Sequence, residues 1–253
     1  MKKFSFLPVI ILCLSPSMVF SKETPGTLSP EKKAEMDQLV KKGDSLLARK
    51  FYEDAILQYR KALEINPKEA VLQNKMGIAY HQLQNTEMAK KQYELAKKLN
   101  PKYSEAWNNL GTIYYGTKKY KKAVKCYEKS LELNPQSATA YHNMGAAYFG
   151  LKKYDKGFQA FQEAFRLDPT ILDRTSNYGT VIKTTELNQA MQNFYLAKIF
   201  AVNGQQEKAI AYLLKALEMG FDEYDKITKE PAFKQLVQDE RLARAMEPKK
   251  SAN

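Results

Sequence analysis

The chain has 253 residues, 44% of them hydrophobic and only 11 of them glycine. That is enough apolar surface for a packed core and too regular a composition for a disordered or collagen-like chain. A formal charge of +12 leaves room for acidic partners, and two cysteines exclude a disulfide scaffold.

Met1-Lys2-Lys3, the apolar run Leu7 to Leu14 and the small residue of Val19-Phe20-Ser21 make up the three parts of an export signal over 1–21. The run is shorter than the ~20 residues needed to span a bilayer. Cys13 follows Leu12 inside that run, so lipidation is not expected there. Cleavage near Ser21 would put the mature chain in the periplasm or outside the cell. It would also leave Cys126 without an internal disulfide partner and lower the charge by the two lysines lost.

Residues 22–35 form a polar leader and the start of a helix, which Ser29 caps with Pro30 at its first position. From there the chain repeats. A first unit at 36–69 carries Gly43, Ala55, Tyr59, Ala62 and Asn66-Pro67, with Lys42 where later units have a leucine or methionine. A second at 70–103 carries Met76, Gly77, Tyr80, Ala89, Tyr93, Ala96 and Pro101, with Gln73 in place of an aromatic residue. The third, 104–137, is the fullest: Trp107, Leu110, Gly111, Tyr114, Ala123, Tyr127 and Pro135. The fourth, 138–171, offers Tyr141, Met144, Gly145, Tyr148, Phe161, Ala164 and Pro169.

Within each unit the apolar residues follow helical spacing twice, either side of a polar turn, so each unit is a pair of amphipathic helices. Pro67, Pro101, Pro135 and Pro169 stand 34 apart, as do Gly43, Gly77, Gly111 and Gly145. Asn134 is suited to a left-handed helix end before Pro135. Gly157, where the other units have alanine, should cost ~1 kcal/mol in a helix interior.

Beyond Thr170 the pattern breaks. Residues 172–189 include the β-branched run Thr180, Val181, Ile182, Thr184 and Thr185, which suits an irregular excursion, while Gly179, 34 after Gly145, leaves a decayed helix as the competing reading. Helical spacing resumes over 190–223, a divergent fifth unit in which Ala197 replaces the glycine and Phe221 the proline. Residues 224–253 read as short helices capping the last apolar flank, then a fraying tail.

The spacing W-x2-L-G-x2-Y, A-x3-aromatic and P over 104–137 resembles the tetratricopeptide repeat, and its echoes cover most of the chain. The resemblance implies an all-α, right-handed superhelical solenoid of helical hairpins. It further implies a protein-binding scaffold whose groove is lined by the first helix of each pair. The matching inward positions are Lys41 in the first unit and Asn74, Lys75 and His81 in the second. Asn108, Asn109 and Tyr115 follow in the third, and His142, Asn143 and Phe149 in the fourth. Asn109 and Asn143 match groove asparagines that hold a bound backbone in such proteins, though each could equally tie one helix to the next. Tyr115 and Phe149 are expected to be exposed aromatics, with packing under the 172–189 excursion as the alternative.

No nucleotide loop, nucleophile elbow or metal-ligand spacing occurs, so neither an enzyme, a metal nor a cofactor is expected. The partner is expected to be a protein or peptide. No nucleic acid and no membrane span are anticipated, while an anionic surface remains open because lysines cluster in the turns. A structural role in an envelope assembly, through the convex or C-terminal surface, is the competing reading.

Overall fold

The computed structural model describes residues 28–172 and 186–247, with the side chains of 186–188 aside. The export signal and most of the leader lie outside these residues, as does the body of the excursion. Ten α-helices form five hairpins: α1 Pro30–Ala48 with α2 Tyr52–Ile65, α3 Ala70–Gln82 with α4 Thr86–Leu99, and α5 Ser104–Gly116 with α6 Tyr120–Leu133. The fourth pairs α7 Ala138–Gly150 with α8 Tyr154–Leu167, and the fifth α9 Glu186–Val202 with α10 Gln206–Glu218. The described residues contain no strand, and the fold is an all-α superhelical solenoid.

One contact sets the pairing within the first four hairpins. A Cβ placed on Gly43, Gly77, Gly111 or Gly145 would lie 2.5 to 2.6 Å from the ring of Tyr59, Tyr93, Tyr127 or Phe161 respectively. Each ring is at most 1% exposed. The missing side chain therefore lets a ring sixteen residues later press against the backbone of the first helix, and the two helices approach closely there.

Left-handed backbone occurs at the turn inside each hairpin, not at Asn134. Lys50, Gln84, Lys118 and Lys152 have φ of 66°, 59°, 58° and 58°. Each closes a Schellman motif; for example Lys118 N–H donates to the Tyr115 carbonyl at 2.9 Å and Lys119 N–H to the Tyr114 carbonyl at 2.8 Å. Asn134 has φ −138° and is extended. Its side chain instead accepts from Gln136 N–H at 3.2 Å, an Asx turn that Asn66, Asn100 and Asp168 also make.

Successive hairpins stack antiparallel. Lys97 near the end of α4 lies 4.7 Å from the Trp107 ring near the start of α5. The fifth hairpin departs from this. Tyr154 and Phe158, early in α8, touch Tyr195, and Phe165, late in α8, touches Phe200, so the contacts advance together along α8 and α9. The connecting chain makes this possible, since an antiparallel neighbour needs only the short turn seen between the other hairpins. Leu172 is buried in the core beside α9, and α9 is already helical at Glu186, so the excursion expected over 172–189 does not include 186–189, while 173–185 lie outside the described residues.

The C-terminal cap comprises α11 Tyr224–Lys229, two 3-10 turns at Pro231–Phe233 and Leu236–Gln238, and α12 Glu240–Met246. Ile227, Phe233, Leu236 and Leu242 are buried, and Phe194 of α9 stacks on Phe221 at 4.7 Å. These side chains cover the flank that a further hairpin would otherwise need to bury.

Candidate binding groove

The inner face is built from α1, α3, α5 and α7, whose equivalent residues recur every 34 positions. Exposure differs from one position of the row to the next. At the entry, Val71, Glu105 and Thr139 are exposed; in the middle Lys75, Asn108, Asn109, His142 and Asn143 are half-buried, as is His81 further on; Asn74 is buried.

At the far ends Tyr115 and Phe149 are buried, at 8% and 1% exposure, and are not the exposed aromatics expected. Tyr115 turns against Tyr120 at 5.5 Å. Phe149 is sandwiched by Phe161 at 5.4 Å and Tyr195 at 5.6 Å, because α9 lies across this end of the inner face. Sequence spacing places α9 in line with the other first helices and gives no sign of that cover.

The asparagines are joined to one another. Asn143 Nδ2 donates to Asn108 Oδ1 at 3.1 Å, and Asn108 Nδ2 donates to Asn109 Oδ1 at 3.2 Å. Asn109 Nδ2 donates to Asn74 Oδ1 at 2.9 Å, and Asn74 Nδ2 reaches the Tyr103 hydroxyl at 3.3 Å. This chain of amides crosses three hairpins. Asn109 and Asn143 thus do tie neighbouring helices, but each amide has two N–H groups and two acceptor lone pairs, and these bonds consume only part of that capacity.

Lys75 is held rather than free. Its Nζ lies 2.7 Å from both carboxylate oxygens of Asp44, whose Oδ1 also accepts the Tyr59 hydroxyl at 2.8 Å. Lys41 is exposed at the start of the same row. Asp44 escaped the sequence reading, although it sits one turn beyond Lys41 on the same face. Tyr103 and Tyr195 carried no sequence signal of their roles.

Both histidines favour the neutral form. Burial pushes His81 down, and it pushes His142 down to about 4, with the His142 ring 5.2 Å from that of Phe161. Among the described residues no cluster of His, Cys, Asp and Glu could hold a metal ion, and no helix is long and apolar enough to cross a membrane. A separate cleft of about 570 Å³ lies between α8, α9 and α11, bordered by Phe158, Tyr195 and Lys226. Its Lys198 is 2.6 Å from Glu230, so part of its charge is paired internally.

Stacked hairpins, a polar inner face and a capped end define a helical-repeat array. Family models for the tetratricopeptide repeat match residues 43–84, 70–103, 104–137 and 138–171, and the chain belongs to that family. The fold is similar to the Pseudomonas aeruginosa pilF protein, at 18% identity and a TM-score of 0.56 over 85% of this chain and 96% of that one. It is also similar to MamA 41-end from Desulfovibrio magneticus RS-1, at 21% identity and 0.51 over 78% and 99%. YrrB, described as a TPR protein with an unusual peptide-binding site, aligns at 21% identity and 0.50 over 77% and 91%. No curated protein matches the chain significantly.

Proposed function

We propose that the protein is an exported, non-enzymatic interaction scaffold that takes an extended segment of a partner protein along the inner face of its first hairpins. The observation that carries this is the row of linked asparagines. Asn108, Asn109 and Asn143 are half-exposed, held in place by one another, and retain donor and acceptor capacity for a peptide backbone. Groups already fixed lose little freedom when a ligand arrives. Exposed Lys41 would favour an acidic residue at one end of that segment, and exposed Val71 an apolar one. Cover by Tyr195 confines the ligand to the stretch before Phe149.

Each neutral hydrogen bond adds only about 0.5 to 1.5 kcal/mol, so several contacts must act together and micromolar affinity is expected. The test uses Val71→Arg with Thr139→Arg, which obstructs the face without touching the amide chain. A partner captured from an envelope extract by the unaltered protein should bind the variant at least about tenfold more weakly, since two bulky charges now meet it. Equal affinity would move the site off this face. For export, N-terminal sequencing of protein from its native cells should begin near Lys22, and an intact Met1 would overturn that part.

A further inference from the structure

Seven lysines crowd the turns that close the third and fourth hairpins: Lys118, Lys119, Lys121 and Lys122 in one, Lys152, Lys153 and Lys156 in the next. A single acid, Asp155, stands among them, and it is engaged by Tyr195. None of the seven takes part in an ion pair among the described residues, whereas Lys90, Lys129, Lys226 and Lys229 elsewhere do. The corresponding turns of the first two hairpins are mixed, with Arg49 and Lys50 near Glu53 and Asp54, and Gln84 near Glu87. At the opposite edge, the turns at Pro67, Pro135 and Pro169 hold at most one lysine each, and only at Pro101 do Lys97, Lys98 and Lys102 gather.

Two features show that the patch is ordered. Lys122 lies 5.8 Å from the Tyr114 ring, and Lys156 lies 6.0 Å from the Tyr148 ring, the same arrangement one hairpin further on. Lys118 and Lys152 occupy left-handed backbone, where glycine is the unstrained choice, and the chain does use glycine in the Schellman turns at Gly204 and Gly220. Lysine stands at these tips despite a backbone cost, as Lys50 and Gln84 do in the first two hairpins, so the turn geometry is common to all four and the patch is distinguished by its charge.

Charge selects the class of partner. The seven lysines are all exposed, at the tips of adjacent hairpins whose helices pack on the order of 10 Å apart. A broad anionic surface can meet both tips at once and complement their charge. We propose that this edge docks the protein on an anionic lipid bilayer surface, independently of the groove and its ligand. Each lysine held near such a surface is worth about fivefold in partitioning.

The experiment measures co-sedimentation of the full chain with vesicles containing phosphatidylserine or phosphatidylglycerol. Neutral phosphatidylcholine vesicles give the share due to the apolar N-terminal run. Lys118→Gln, Lys152→Gln and Lys153→Gln are combined, glutamine being what the second hairpin already carries at Gln84. Binding to anionic vesicles should fall about a hundredfold and should also weaken with salt. Lys68→Gln, Lys98→Gln and Lys102→Gln, on the opposite edge, remove the same charge and should leave most of the binding intact. A second variant, Lys119→Glu with Lys121→Glu, avoids the left-handed positions and should act in the same direction. Equal loss in the opposite-edge variant would reduce the effect to net charge and overturn the proposal. No preference for anionic over neutral vesicles would do the same, as would retention by soluble polyphosphate with none by vesicles.

Discussion

Gly157 tests the packing logic most sharply. In a helix interior alanine is favoured over glycine by about 1 kcal/mol, and the other three units have alanine there, so Gly157→Ala ought to stabilise. The structure reverses that expectation. The added methyl would lie 2.5 Å from Cδ2 and 2.6 Å from Cε2 of Phe149, and 3.2 Å from the Gly145 carbonyl oxygen. Phe149 is only 1% exposed and is wedged between Phe161 and Tyr195, so the ring has nowhere to swing. Overpacking of this kind costs about 1 to 3 kcal/mol, leaving a net loss of about 1 kcal/mol. In a Phe149→Leu background the clash is gone, as in the first hairpin where Leu47 and Ala55 hold the same two positions. There Gly157→Ala should gain about 1 kcal/mol, giving a coupling of about 2 kcal/mol between the sites. Urea unfolding of the four proteins, followed by far-ultraviolet circular dichroism, measures it. Stabilisation by Gly157→Ala of equal size in both backgrounds would refute the reasoning.

Three further outcomes are expected. Lys118→Gly relieves a left-handed lysine at φ 58° and should raise stability by about 0.5 to 1 kcal/mol, a rise in melting temperature of a few degrees at most; a fall would mean that the side chain supports the fold. Asn109→Ala strands the Asn74 acceptor and an Asn108 donor and should cost about 1 to 3 kcal/mol in urea unfolding; no change would show that the amide chain is structurally idle. His142 is held neutral, with a pKa pushed down to about 4, while the unfolded chain takes up that proton near 6.5. Its contribution is therefore intact above about pH 6.5 and is lost as pH falls towards 4, by up to ~3 kcal/mol. His142→Asn, the residue found at Asn74 and Asn108, should flatten the acid limb of the stability profile, and an unchanged limb would place the sensitivity elsewhere.

The fold was legible because its determinants are local and periodic. Each of Gly43, Gly77, Gly111 and Gly145 is answered by a ring sixteen residues later, and both members of that contact can be read from the repeat. The groove was legible only in outline. Periodicity assigns a residue to a face but not to a depth, so Tyr115 and Phe149 were placed on the inner face without any indication that Tyr120 and Tyr195 would bury them. Lys75 and Asp44 belong to different hairpins, and their ion pair depends on the stacking of α3 on α1, which no spacing within one unit encodes. The departure at α9 was beyond reach for the same reason: direction of docking is a tertiary choice, left open once the connection is long.

That reversal of direction fixes where the molecule can change length. A duplicated unit placed between residues 137 and 138 would meet the same antiparallel neighbours on both sides and could carry the asparagine row one step further. One placed after residue 171 would face α9, whose aromatic side chains are matched to the end of the fourth hairpin, and only a copy of 138–171 would restore that match. Growth by duplication is thus open in the interior, while the unit that meets α9 must keep the fourth hairpin's aromatic residues, which makes that joint the fixed end of a ruler whose other gradations are interchangeable.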